Sequence, residues 1–356
     1  MEVHVVSKSK NQVNAVATLD RLEYEQHGLA ASSVRVQPLL ITLCSNNLSY
    51  ARGGDLLHGW DTYPVPAGLP KPYNDRKSWG IVPAWGYGVV TESMTQISPG
   101  TLLWGAEISE SRQRLMTIIT ATPKKAKIEY PDFMSGIKTW TSLSSLVDAK
   151  ELKRMSWVSL FRPTWQTGYL LSHHTFTSDT TSRSPIHPLG IDLPWTPADA
   201  DISAAVVISL SAAGKTARAF AYHMFWRNAA KEGPIWFLQI SQTPELLESV
   251  PRILGTDIPT KAVRYDLVGG SAELIEGLDP KRIVLVDFGG RAGTLAQLIE
   301  SIKSHSALGE VQTTIIHVGS EQNVYSADEI KGNCQTMQTV GEVQFNTCGV
   351  RDAVIE

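Results

Sequence analysis

Ser209-Leu210-Ser211-Ala212-Ala213-Gly214-Lys215-Thr216-Ala217 is the stretch of this chain whose residue types and spacing can do chemistry. The apolar run Ala204-Ala205-Val206-Val207-Ile208 precedes it, and Arg218-Ala219-Phe220-Ala221-Tyr222-His223-Met224-Phe225 follows. Buried strand, small-residue turn and helix, in that order, aim backbone N–H groups and the positive end of a helix dipole at one point. Such a point suits a phosphate. Two nucleotide fingerprints compete. Ala212-x-Gly214-x-x-Ala217 is the dinucleotide pattern with Ala for the first Gly. Ser209 through Thr216 is a phosphate loop with Ser for the first Gly, and Ile283-Val284-Leu285-Val286-Asp287 can then pass for a magnesium-binding strand. An ordinary strand–helix junction that binds nothing is the third reading.

The elements that must position this turn favour the dinucleotide. Pro234-Ile235-Trp236-Phe237-Leu238-Gln239-Ile240-Ser241 reads as a second buried strand. A helix from Thr243-Pro244-Glu245 to Ile253-Leu254-Gly255 follows, with Thr243 as its cap and Gly255 as its end. Strands at Lys261–Tyr265, Lys281–Asp287 and Thr313–Val318, and a helix from Thr294 to His305, continue the alternation. Strand–helix repetition with continuous apolar strands predicts a parallel sheet covered on both faces, with ligands at the carboxyl ends of its strands. Gly214, Ser241 and Phe288-Gly289-Gly290 all fall at such ends. A phosphate-loop NTPase does not account for what precedes the turn, and Ser209 lacks the backbone freedom of Gly.

At 356 residues the chain exceeds what one core usually supports. A formal net charge of -3 gives no electrostatic case for nucleic acid or an anionic membrane. No apolar run reaches membrane-spanning length, and the polar N-terminus has no signal-peptide core. Three cysteines (Cys44, Cys334, Cys348) are too few and too scattered for a disulfide framework or a structural zinc site. A reducing, cytoplasmic compartment is expected, and the Asn47-Leu48-Ser49 sequon reads as chance.

The first 155 or so residues are different in kind. Val34–Leu43 and Gly86–Glu92 read as strands, turns are dense between Gly53 and Gly105, and helical periodicity is scarce before Leu143. A β-rich domain is predicted over 1–155, a nucleotide-binding domain over 156–325, and a tail over 326–356 that returns to the first domain. Pro64 to Lys77, rich in Pro and polar residues, reads as a long surface loop with the makings of a lid.

In these features the chain resembles the medium-chain dehydrogenase/reductase superfamily. Leu43-Cys44-Ser45-Asn46-Asn47-Leu48-Ser49-Tyr50 is similar to its early catalytic strand-loop. Val82-Pro83-Ala84-Trp85-Gly86-Tyr87-Gly88-Val89-Val90 is similar to its Pro…Gly-His-Glu…Gly-x-Val segment, and Ser211 through Ala217 to its Ala-Ala-Gly-Gly-Val-Gly turn. The Asn-Asn-x-x-Tyr, the Arg162-Pro163 with Thr164 and Thr167, and the Ser-Ala-x-x-Lys-Thr-Ala turn resemble a divergent branch found in bacteria and fungi. The resemblance implies an α/β protein: a β-rich GroES-like catalytic domain followed by a Rossmann-type doubly wound parallel sheet. It also implies a nicotinamide cofactor on Ala212, Gly214, Lys215, Thr216 and Ala217, with Phe288, Gly289, Gly290, Thr164 and Thr167 completing its site.

The departures shape the reading. Zinc-dependent members use an early Cys and the His and Glu of Gly-His-Glu. Cys44 can fill the first role, but Trp85-Gly86-Tyr87 lacks the other two ligands, so no metal is expected. His173-His174 is a tempting pair whose adjacent side chains diverge. NAD-specific sites carry an acid at the end of the second strand. Here Gln239-Ile240-Ser241-Gln242 has none, so Ser241, Gln242 and Lys215 are expected to take the 2′-phosphate of NADP(H).

The expected reaction is zinc-independent reduction of an activated C=C or C=O in a hydrophobic small molecule, in the manner of secondary metabolism. Tyr50 is the candidate donor to the developing oxyanion and Asn47 positions substrate or ribose. Asp55 and His58 are further acid–base candidates. Trp60, Tyr63, Trp79, Trp85 and Tyr87 are expected to line an aromatic pocket, with core packing as the alternative for each. The rival is a lyase, isomerase or cyclase on the same scaffold with no cofactor dependence. A small molecule is the expected partner, and a homodimer the expected assembly.

Overall fold

Six parallel strands carry the second half of the chain. The computed structural model describes residues 2–19, 29, 34–52, 54–55, 60, 64–109, 149–177, 179, 183–190, 193–319 and 342–355. The chain divides into two compact units, Met1–Arg162 and Pro163–Glu356.

The first unit is antiparallel. Strands β1 (Glu2–Ser7), β2 (Asn14–Thr18) and β4 (Trp79–Gly80) form one sheet in the order β2-β1-β4. Strands β3 (Val34–Thr42), β5 (Pro83–Ser93) and β6 (Leu102–Ser109) form another in the order β3-β5-β6. The short helix α1 (Ser45–Arg52) follows β3, where the sequence suggests a strand-loop. Helix α2 (Ala149–Leu170) begins in this unit, and the boundary between the units falls at its internal Pro163. Met155 and Val158 of α2 pack with Tyr87, Leu102 and Trp104 of the β3-β5-β6 sheet. The segment expected as a lid is pinned instead. Val65 and Leu69 are buried with Val3, Val5 and Ile81, Arg76 Nε donates to the Val65 carbonyl, and successive turns close on Pro66, Pro70 and Pro72.

In the second unit, β7 (Ala205–Leu210), β8 (Trp236–Ser241), β9 (Thr260–Arg264), β10 (Arg282–Phe288), β11 (Gln312–Gly319) and β12 (Val343–Gln344) form one sheet in the order β12-β11-β10-β7-β8-β9. All its pairings are parallel. Counted within the sheet this is 6-5-4-1-2-3, the doubly wound order whose reversal lies between β7 and β10. Every residue of β7 is buried, as a strand covered on both faces requires. Helices α3 (Lys215–Phe225), α4 (Glu245–Leu254) and α5 (Thr294–Ser304) connect the strands. One core gathers Val207, Phe220, Phe237 and Val286; the other gathers Ile208, Leu238, Leu285 and Leu298. The second part of α2 lies against α3 so closely that a Cβ on Gly168 would sit 2.5 Å from the Phe220 nitrogen. Arg282, nearly buried at the start of β10, is satisfied by the carbonyls of Ala198, Asp199 and Asp201 and by the Thr314 hydroxyl.

The described part of the tail belongs to the second unit. β12 extends the parallel sheet, and Val350 of the terminal helix α6 (Thr347–Ile355) is buried in its core beside Leu171 and Phe176. The burial of Phe345 and Val350 makes this edge the favourable place for the tail.

Candidate functional site

Small residues shape the turn after β7. Ser211 adopts φ 57°, a left-handed conformation uncommon for a residue with a Cβ. The Ala212 N–H donates to the Ile240 carbonyl at 2.9 Å, tying the turn to the neighbouring strand. Gly214 is the N-cap of α3 and offers no side chain to it, while a Cβ there would lie 3.2 Å from the Ser211 carbonyl. The N–H groups of Lys215, Thr216 and Ala217 therefore open the helix without an intrahelical acceptor, and no acidic residue stands in the first turn. Lys215 and Thr216 are half-buried there and Ala217 is buried. This is the geometry of an anion site.

Across the strand-order reversal, the β10 turn approaches the same place. Asp287 Oδ1 accepts from the N–H groups of Gly289 and Gly290 at 2.9 and 2.6 Å, and a Cβ on Gly290 would meet Leu210 at 3.3 Å. Phe288 packs against Phe220 instead of facing outward. Here the structure assembles residues that the sequence reading passed over. The Tyr265 oxygen is met by the Ser211 hydroxyl and N–H, and Arg291 stands 5.1 Å over the Tyr265 ring. Burial raises the Tyr265 hydroxyl above its ordinary range, and those Ser211 contacts partly offset it. His317 Nδ1 lies 3.5 Å from Glu342 Oε2 and 4.0 Å from Asp287 Oδ2. Burial holds the His317 imidazole below its usual range, against the pull of Asp287. Burial, and then Asp287, raise the Glu342 carboxyl. These residues come from four separate segments, so no local motif signals them.

At the end of β8, Ser241 is buried and its Oγ accepts from the Thr243 N–H, while Gln242 is exposed. Thr243 therefore does not cap α4, whose N-cap is Pro244. Arg264 is the register partner of Ser241 on β9, and parallel neighbours share a face. Its guanidinium is half-exposed and 3.3 Å from Asp266. Thr167 is engaged elsewhere: its hydroxyl donates to the Pro163 carbonyl and meets Thr347 Oγ1 of α6 at 2.9 Å. Thr164 is buried in α2.

In the first unit, Tyr50 and Trp85 meet. Trp85 Nε1–H donates to the Tyr50 hydroxyl at 2.6 Å. Asn47 does not present its amide to a ligand. Its Oδ1 accepts from the Cys44 N–H at 2.8 Å and its Nδ2 donates to the Pro83 carbonyl at 3.0 Å, so it braces α1 against β5. The expected single aromatic pocket is divided among separate clusters. Trp60 is buried with Val6, Ala51 and Val82, wedged where a Cβ on Gly54 or Gly80 would come within 2.1 or 2.2 Å of its ring. Trp79 packs edge-on to Tyr73. Trp85 stacks on Trp104, and Tyr87 is buried beneath α2. Asp55 lies in an exposed turn. His58 and Tyr63 lie outside the described residues.

His173 and His174 fall in a π-helical turn, Leu171–Thr175, that continues α2. His173 Nε2 lies 3.3 Å from His223 Nδ1, among the rings of Tyr169 and Trp165. Burial first, then His223 and the charges of Arg227 and Arg183, lower His173 to about 4. No group of three or more metal-ligating side chains is present among the described residues. Nor is any helix among them long and apolar enough to cross a membrane.

Residues 41–356 match the family described as protein of unknown function (DUF2855). The chain belongs to that family. The matched span holds Tyr50, Trp85 and the Gly214 turn. No curated protein matches the chain. Among solved structures, the JamJ enoyl reductase in its apo form is 13% identical over 97% of this chain and 81% of that one, with a TM-score of 0.45. The CurF ER cyclopropanase from the curacin A biosynthetic pathway is 12% identical over 99% and 85%, at 0.45. The CurK enoyl reductase is 14% identical over 97% and 81%, at 0.43.

Whether a nicotinamide dinucleotide fits this family member is decided by its own donors. The uncapped first turn of α3 suits a pyrophosphate. The close passage of Gly290 over Leu210 leaves backbone without side chain at the strand-order reversal. Serine, glutamine and arginine stand at the ends of β8 and β9 where a ribose-binding acid would select the unphosphorylated cofactor. The donor set fits the phosphorylated form.

Proposed function

We propose that this protein is a zinc-independent, NADP(H)-dependent reductase of an activated C=C or C=O in a hydrophobic small molecule. The observation that carries the reading is the uncapped N-terminus of α3 at the reversal point of a 6-5-4-1-2-3 sheet, with no acid at the end of β8. The N–H groups of Lys215, Thr216 and Ala217 hold the pyrophosphate. Ser241, Gln242 and Arg264 receive the 2′-phosphate, where Arg264 supplies the charge. When bound, the dinucleotide supplies a hydride. Tyr50 donates to the oxygen on which negative charge develops, a role its phenol fills without a metal. His317 and Glu342, 3.5 Å apart beside Asp287, give this place an imidazole of lowered and a carboxyl of raised proton affinity.

That buried cluster also favours a second reading, acid–base chemistry without hydride transfer on the same scaffold. The two separate in one experiment. Turnover of an α,β-unsaturated ketone with deuterium-labelled NADPH should place deuterium in the product. Undiminished conversion after all nicotinamide is removed would leave the non-redox reading standing. Melting-temperature shifts with NADPH, NADH and ATP form the companion measurement, and NADPH should give the largest rise.

A further inference from the structure

Two short motifs of the first unit dock on each other. Asn47 and Tyr50 are three residues apart on α1 and so share a face. Pro83 and Trp85 are two apart on β5. Asn47 Nδ2 reaches the Pro83 carbonyl, and Trp85 Nε1–H reaches the Tyr50 oxygen. An indole nitrogen only donates, so the phenol oxygen is the acceptor in the second bond. Its length of 2.6 Å places it at the short end for such a pair.

Trp85 is itself fixed from behind. Its ring stacks on Trp104 at 4.8 Å and 25°, and the Arg162 guanidinium stands 4.9 Å over Trp104. Its strand partner Thr42 pairs with Ser159 of α2 through their hydroxyls. Three stretches that the sequence reading singled out separately, Asn47-x-x-Tyr50, Pro83-x-Trp85 and Arg162-Pro163, thus support one hydroxyl.

We propose that Trp85 is a positioning residue that holds and polarises the Tyr50 hydroxyl, with Trp104 and Arg162 fixing the indole. The inference rests on the reading of Tyr50 as the oxyanion donor. An N–H aimed at a phenol oxygen fixes the rotamer of the ring and favours charge on that oxygen, so the phenol donates more strongly. Trp85 adds no contact to substrate and acts through Tyr50 alone.

The test pairs a spectroscopic readout with a double-mutant cycle on the full-length protein. In a ¹H–¹⁵N indole spectrum, the Trp85 signal is assigned by its loss in Trp85→Phe. It should move in Tyr50→Phe, where its acceptor is gone; a Trp85 signal unmoved by Tyr50→Phe overturns the proposal. With NADPH and 1-octen-3-one as probe, Trp85→Phe should lower kcat about 10-fold with KM little changed, the scale of one hydrogen bond to a charged group. The alkaline limb of the rate profile should also shift to higher pH. In the Tyr50→Phe background the same change should cost nothing further. An equal cost in both backgrounds marks Trp85 as merely structural and overturns the proposal. Should Trp85→Phe fail to fold, 3-benzothienylalanine at position 85 replaces the N–H with sulfur in the same shape. If Tyr50→Phe keeps full kcat, the oxyanion reading fails. The Trp85 proposal falls with it, even where the indole signal has moved, and that signal tells the two failures apart.

Discussion

The turn after β7 and the corner at Tyr50 are built in opposite ways. The turn works by removing side chains: Gly214 and two alanines clear the approach, and the donors left over belong to the backbone. The corner works by accumulating them: the Asn47 amide braces the helix on the strand, the Trp85 indole holds the Tyr50 phenol, and Trp104 stacks on the indole. The difference teaches where each is vulnerable. A backbone site is destroyed by adding atoms and is indifferent to most losses. A side-chain site is destroyed by losing one polar atom.

The largest effect should come from adding atoms to the turn. Gly214→Val places branched carbons near the Ser211 carbonyl and over the helix N-terminus. NADPH affinity should fall by about 100-fold or more by calorimetry, since the phosphate loses its backbone donors. Unchanged affinity would show that the turn holds no phosphate. The matching subtraction at the corner is Tyr50→Phe, which should lower kcat by about 10²-fold while NADPH binding stays at the wild-type level. Loss of cofactor binding in that variant would erase the contrast between the two regions.

Acid sharpens the contrast further. Among the described residues the first unit holds only His4, while the second carries His173, His174 and His223 together, all lowered chiefly by burial. A folded-state value below the unfolded one means stability is complete above about pH 6.5 and is lost as pH falls towards about 4. His223, Arg227, Arg183 and His174 surround His173 and add to the cost of its charge. Discounted for partial exposure, the loss from His173 is on the order of 2 kcal/mol. Urea unfolding at pH 7.5 and 4.5 should show it, and His173→Gln should flatten the difference. Hydrogen exchange at pH 4.5 should open the Leu171–Thr175 turn before β5.

The smallest effect concerns cofactor choice. Arg264→Ala should weaken NADPH about 10-fold and leave NADH unaltered, as expected for one partly solvated charge on a phosphate. Equal weakening of both would place the arginine near some other part of the molecule.

The parallel unit was legible because its information is local. β7 and α3 are contiguous with the turn they frame, and β7, β8, β10 and β11 announce themselves as apolar runs, with β9 read from its place in the alternation. β12, only two residues long, has no such signature. In the first unit the pattern is weaker: the two-residue β4 finds its partner β1 more than seventy residues back along the chain, and α1 reads as a loop because Ser, Asn and Asn are poor helix formers. The Tyr50 hydroxyl was legible as chemistry, but its partner lies 35 residues away. Asn47 reads as a ligand-facing amide because its type permits that; its actual partners, the Cys44 N–H and the Pro83 carbonyl, are backbone groups that no motif records. The same limit hid the approach of His317 and Glu342.

Gly168 carries a consequence for anyone reshaping this protein by selection. With Phe220 backbone 2.5 Å from where a Cβ would stand, the crossing of α2 over α3 admits hydrogen alone at that position. A saturation library there should return glycine almost exclusively, whatever activity is selected, because each alternative must move a helix before it can do anything else. Randomisation is better directed at exposed positions outside the crossing, such as Leu152 of α2.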